Sequence, residues 1–109
     1  MTELTLKVIL SYLLGSIVGS LLLGQMRGVD IRKLGSGNAG GTNALRTQGK
    51  AFAFWVVLID VGKGFVATRV LARLGLPAVP PSAGMLRPWL PVACGAAAIV
   101  GHCYPLWYS

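Results

Sequence analysis

The chain has 109 residues, 54% of them hydrophobic, and only 12% charged; ten Lys and Arg against three Asp and Glu leave a net charge of +7. Soluble domains carry roughly 25% charged residues, so an ordinary soluble domain is disfavoured, and disorder, which needs low hydrophobicity, is excluded. The basic excess points to an anionic partner: nucleic acid, a membrane surface or a phosphorylated substrate.

Val8 to Met26 contains no charged residue over 19 positions. A bilayer core needs about 20 apolar residues, so the first span is predicted over 5–26. The run is long for the apolar core of a secretion signal, and no A-x-A-like site follows it. Ser11, Gly15 and Gly19 fall on one helical line and Ser16, Ser20 and Gly24 on the next. Two such lines predict close packing against another helix.

Arg27 to Lys50 changes character. Five bases (Arg27, Arg32, Lys33, Arg46, Lys50) stand against one acid, Asp30, and five glycines fall between Gly35 and Gly49. The segment reads as a loop with a short helix from Thr42 to Gln48 that Gly49 ends.

The second span is predicted over 51–71. Asp60 and Lys63 lie inside it at helical spacing, on one face with Gly64. Each would cost roughly 2.5–3.5 kcal/mol in lipid unpaired, so the two are expected to pair with each other or with neighbouring polar groups. Lys63 reaching a substrate phosphate is the alternative. Arg73 to Arg87, with Gly75, Pro77, Pro80, Pro81 and Gly84, reads as a loop. A third span is predicted over 88–103, with Pro88 and Pro91 in its first turns; His102-Cys-Tyr-Pro105 ends it. Tyr104, Trp107 and Tyr108 suit a membrane interface. Cys94 and Cys103 read as buried free thiols, without the paired spacing of a zinc site.

The fold class expected is therefore all-α integral membrane, with about three transmembrane helices in one domain over 1–109. Lys and Arg counts set its orientation: the N-terminus offers one, Lys7, the loop after the first span five, and the next connection three, counting Arg69. The glycine-rich loop should be cytoplasmic and the N-terminus outside.

The segment Gly35-Ser-Gly-Asn-Ala-Gly-Gly-Thr-Asn-Ala-Leu-Arg46 is suited to phosphate. Glycines let backbone amides converge on an anion, and a helix beginning near Thr42 aims its positive end there. Ser36, Asn38, Thr42 and Asn43 offer neutral donors, and Arg46 a guanidinium fork. Two nucleotide motifs fit less well. Gly35-x-Gly37-x-x-Gly40 matches the dinucleotide fingerprint, but the charged Asp30-Ile-Arg-Lys-Leu replaces the strand that should precede it. Gly35-x₄-Gly40-Gly41-Thr42 resembles a P-loop with Gly41 at the lysine position.

GSGNAGGTNALR closely resembles the first signature of the bacterial acyl-phosphate:glycerol-3-phosphate acyltransferases, multi-pass enzymes of the inner (plasma) membrane. YLLGSI is similar to that family's N-terminal helix, Asp60-Val-Gly-Lys63-Gly64 to its D-x-x-K-G, and Gly101-His102-Cys-Tyr-Pro105 to the start of its second signature. Gly41 stands where the family more often has Ala. The resemblance covers nearly the whole chain but only the N-terminal half of a family member. It implies acyl transfer from acyl phosphate to the 1-hydroxyl of glycerol 3-phosphate, yielding lysophosphatidic acid and phosphate, in phospholipid synthesis. No metal, nucleotide or other cofactor is expected, and the partners are the two substrates and membrane lipid, not nucleic acid. By motif position Ser36, Asn38, Thr42, Asn43 and Arg46 would bind phosphate with help from the Gly40 and Gly41 amides. His102 would support the site or act as its base, near the loop. The competing reading is a small non-enzymatic membrane subunit whose basic loop binds anionic lipid.

Overall fold

The computed structural model describes residues 3–75, 84 and 87–108, and among them every regular element is helical. In chain order these are α1 (Glu3–Gly15), α2 (Gly19–Arg27), α3 (Gly41–Gln48), α4 (Lys50–Phe65) and α5 (Leu90–Cys103), with single 3₁₀ turns at Ile31–Lys33, Arg87–Trp89 and Leu106–Tyr108. Beyond Phe65, α4 widens into a π-turn over Val66–Val70 and tightens into 3₁₀ over Leu71–Arg73. Lys50–Arg73 is thus one 24-residue helix, long and apolar enough to cross a membrane.

The expected first span is corrected in one respect: it is broken. The helix stops at Gly15, and α2 restarts at Gly19 at an angle of 42°. Gly15-Ser16 is a pair at which helices kink readily, and extended Val18 starts α2 without a side-chain cap. Taken as one bent element, α1 and α2 also have the length and apolarity of a span. The third expected span becomes 14-residue α5, about 21 Å of helix and shorter than a bilayer core. The expected Arg73–Arg87 loop lies mostly outside the described residues.

Two apolar clusters divide the bundle at the break. Val18, Leu21, Ile31, Ala44, Phe52, Ala53 and Val56 join α2, α3 and the start of α4. Ala67, Ala72, Leu90, Cys94 and Ala98 join α1, the end of α4 and α5. The small-residue lines serve as expected: Ser11, Gly15, Ser16, Gly19, Ser20 and Gly24 are all buried. Gly15 and Gly101 are where α1 and α5 meet most closely. A Cβ on Gly15 would strike the Ala98 carbonyl, and one on Gly101 the Tyr12 carbonyl. The Tyr12 hydroxyl donates to the Tyr104 carbonyl and the Trp107 indole to that of Leu13, fastening the end of the chain to α1. Of the two free cysteines Cys94 is buried, but Cys103 is exposed, contrary to the sequence reading.

Candidate functional site: a glycine loop and a braced helix break

The glycine loop is held by one side chain. Asn43, on the first turn of α3, is 2% exposed. Its Nδ2 lies 3.3 Å from the Ile31 carbonyl, 3.0 Å from that of Leu34 and 2.8 Å from that of Asn38, while Oδ1 accepts the Ser36 amide at 3.1 Å. Gly35 has φ +53°, and a Cβ there would collide with the Asn43 side chain. Glycine is thus required twice over at this position, by backbone and by space. Asn43, expected as a phosphate donor, is instead the hub that shapes the loop.

Asn38 Oδ1 accepts the Gly40 amide at 3.0 Å, and Ser36 Oγ accepts that of Asn38 at 3.3 Å. The Gly40 amide is therefore engaged within the loop. Gly41, Thr42 and Asn43 open α3, where backbone amides precede the helix's own hydrogen bonding. Thr42 is exposed, and so is Arg46 one turn beyond it.

The five bases divide. Arg27 reaches the carbonyl and side chain of Gln48 and lies 4.7 Å over the Phe52 ring, tying α2 to α3 and α4. Arg32 forms a two-pronged pair with Asp30, both contacts at 3.0 Å. The Arg32 hydrogen bond holds the Asp30 carboxyl below its usual range and raises the guanidinium in turn. Lys33, Arg46 and Lys50 make no ion pair with the described residues. Lys50, which sequence reasoning did not single out, lines a groove of about 580 Å³ with Gly41, Thr42, Leu45, Ala53, Phe54 and Val57.

The second polar centre lies at the helix break. Lys63 Nζ is 2.9 Å from the Gly15 carbonyl, 2.9 Å from the Ile17 carbonyl and 2.7 Å from His102 Nδ1. An ammonium has three protons and only donates. These three acceptors match it, with Asp60 Oδ1 as counter-ion at 3.3 Å. His102 Nδ1 is then an acceptor, and its ring proton sits on Nε2. Asp60 Oδ1 also accepts the Gly19 amide at 3.0 Å. One charge pair on α4 thus meets both severed ends: the cation takes the last carbonyl of α1 and that of Ile17 inside the break, and the anion the first amide of α2. Each charge also complements the dipole of the end it touches.

This cluster opens on a groove of about 470 Å³ between α4 and α5, lined by Asp60, Val61, Lys63, Gly64, Thr68, Gly95, Ala98, Ile99 and His102. None of these residues belongs to the glycine loop. His102 was expected beside the loop; the structure seats it against Lys63 instead. Lys63 likewise directs its hydrogen bonds to the break and to His102. Among the described residues no group of three His, Cys, Asp or Glu is placed to hold a metal. Sequence reasoning also missed Lys7, which is 1% exposed. It pairs with Glu3 at 3.2 Å and donates to the Ala72 carbonyl at 2.7 Å, closing the far end of α4.

An all-helical bundle of apolar helices, with charges paired inside it and unpaired bases on a glycine loop, has the construction of a helical membrane protein. Its family is shown by sequence: a family model described as glycerol-3-phosphate acyltransferase matches residues 5–109. The chain belongs to the glycerol-3-phosphate acyltransferase family, as GSGNAGGTNALR suggested. Relatives of that name include proteins from Symbiobacterium thermophilum, 47% identical over 107 residues, and Rubrobacter xylanophilus, 46% identical over 102. These matches cover 98% and 93% of this chain but 48% and 46% of the relatives. The chain therefore spans about half the length of the curated relatives it matches. The fold is similar to the crystal structure of PlsY, an integral membrane glycerol 3-phosphate acyltransferase, in its glycerol 3-phosphate form. That match has a TM-score of 0.74 and 31% identity over 96% of this chain and 48% of the other.

Proposed function

We propose that this chain carries the phosphate-handling part of an enzyme that moves an acyl group from acyl phosphate to the 1-hydroxyl of glycerol 3-phosphate, giving lysophosphatidic acid and inorganic phosphate. One observation carries the reading: Lys33, Arg46 and Lys50 make no ion pair among the described residues, around a glycine loop that leads into the amide end of α3. A loop needing cations only for its own fold would engage each of them, as Arg27 is held by Gln48 and Phe52 and Arg32 by Asp30.

In the reaction the hydroxyl oxygen attacks the acyl carbonyl carbon, the carbon–oxygen bond to phosphate breaks, and the departing phosphate takes up the hydroxyl proton. The leaving group is already activated, so positioning and charge stabilisation supply much of the rate. Thr42, the Gly41 amide and Arg46 contact a phosphate, with Lys33 and Lys50 adding to the local field. Ser36, Asn38, Gly40 and Asn43 hold the loop's shape, and Ser36, an exposed residue, can also meet substrate. Lys63 braces the helix break. His102, its Nδ1 already accepting from Lys63, serves as a positioned Nε2–H donor rather than as the base.

The same reading gives a single domain of three spans in a bacterial inner membrane: the bent pair α1–α2, α4 with its extension, and α5. The glycine loop is cytoplasmic and the N-terminus outside, following the five bases of that loop. Val92, Ile99 and Val100 are exposed on uncharged α5 and would face lipid or further helices.

Arg46→Lys tests the loop's role. It keeps the charge and loses the fork, which should cost about 1.5–3 kcal/mol, at least tenfold in transfer rate or glycerol 3-phosphate affinity. Arg32→Lys should have little effect. Membranes carrying each variant at matched protein level would be assayed for transfer and for glycerol 3-phosphate binding. Equal performance of the two variants would remove Arg46 as the phosphate fork.

A further inference from the structure

We infer that Asp60 is a positioning residue for the glycine loop, acting through the first turn of α2. The inference rests on the loop's proposed role only for its significance to catalysis; the structural linkage stands apart from it.

Two hydrogen bonds, joined by chain continuity, define the linkage. Asp60 Oδ1 accepts the amide of Gly19, the first residue of α2, at 3.0 Å. The next residue, Ser20, is fully buried, and its hydroxyl donates to the Ala39 carbonyl at 2.6 Å. Ala39 immediately precedes Gly40, which caps α3. Asp60 thus fixes where α2 starts, Ser20 carries that position to the inner edge of the loop, and the loop delivers it to the amide end of α3.

The surroundings make this linkage stiff. Gly19 lies so close to α4 that a Cβ would come within 2.9 Å of the Val56 carbonyl and 3.2 Å of Asp60 Oδ1. Across the loop, a Cβ on Gly41 would lie 2.9 Å from a Val57 methyl. Val56, Val57 and Asp60 occupy one turn of α4, so that turn sets both the start of α2 and the start of α3. Val18 offers α2 no side-chain cap, and Asp60 supplies from another helix the acceptor that a capping residue ordinarily provides. The 42° bend is consequently held at an angle.

Spin labels at Leu45→Cys on α3 and Val100→Cys on α5, both exposed sites, would report the loop's position in nanodiscs, with Cys103→Ser removing the exposed thiol. The parent should give one narrow distance distribution. Asp60→Leu and Ser20→Ala, breaking different links, should each shift or broaden it, whereas Asp60→Asn, which keeps an acceptor for the Gly19 amide, should retain it. Unchanged distributions for Asp60→Leu and Ser20→Ala would overturn the proposal. So would Asp60→Asn broadening as much as Asp60→Leu, since the charge and not the amide contact would then matter. If Asp60→Leu does not fold, Ser20→Ala alone decides. Glycerol 3-phosphate added to the parent separates the two readings: no binding, with the distance shifts intact, defeats the phosphate cradle and leaves the positioning role standing.

Discussion

Between Gly15 and Gly19 the backbone leaves its helix for three residues, and between Arg27 and Gly41 it is outside any α-helix for thirteen. The short gap is served from far away in sequence, by Asp60, 41 residues on, and by Lys63, 46 and 48 residues on. The long one is served mainly from nearby: Asp30, Ser36, Asn38 and Asn43 reach partners no more than 12 residues away, and Ser20 adds one contact from α2. Burial explains the contrast. At the break water is scarce and each unmet backbone group is costly, so a charge pair on an adjacent helix is brought to it. The loop is largely exposed, short-range side-chain contacts suffice to shape it, and Lys33, Arg46 and Lys50 make no ion pair with the described residues.

The largest effect should come from removing the brace. Lys63→Met leaves the Gly15 and Ile17 carbonyls without their donor and Asp60 without its counter-ion. Removing one partner of a buried pair typically costs about 3–5 kcal/mol, and the thermal midpoint in detergent should fall accordingly. Pairing Lys63→Met with Asp60→Leu should cost less than the two losses added, because the stranded carboxylate is gone. Additive losses would show that the residues act separately and that the break is not held as a unit.

A smaller and more local effect is expected in the loop. Asn43→Ala removes the side chain that reaches four backbone groups, at about 1–3 kcal/mol, since water can replace part of what is lost. Hydrogen exchange should accelerate over residues 34–44 while residues 90–103 keep their protection. A loss of protection in α5 as large as in the loop would erase the distinction between the two regions.

That distinction was only half legible in the sequence. GSGNAGGTNALR gave away the loop, and Gly49 the end of α3, because these depend on local backbone chemistry. Helical spacing put Asp60 and Lys63 on one face. The break was hidden because Gly15-Ser-Ile-Val-Gly19 reads equally as a close-packing face, which Gly15 indeed supplies against α5. Only the arrival of Lys63 and Asp60 makes an interruption tolerable there, and no local pattern announces a partner more than 40 residues away. The loop-shaping contacts of Asn43 were not legible, because residue type does not distinguish an amide that binds a ligand from one that shapes its binding loop. Lys7 looked like a flanking charge because its burial depends on where α4 ends.

The smallest effect concerns a hydroxyl that neither arrangement uses. Ser11, Ser16 and Ser20 are all fully buried. Ser16 Oγ donates to the Tyr12 carbonyl at 2.8 Å and Ser20 Oγ to that of Ala39, whereas Ser11 Oγ has no hydrogen-bond partner among the described residues. A buried polar group without a partner opposes folding, and replacing it with an apolar group of similar size relieves the cost. Ser11→Ala should therefore leave the thermal midpoint unchanged or raise it, by no more than about 1 kcal/mol in stability. Ser20→Ala should lower it, since the Ala39 carbonyl loses its donor. The pair separates a serine present for its small size in the α1 packing face from one present for its hydroxyl. A clear loss for Ser11→Ala would mean that this hydroxyl, too, is a link between helices.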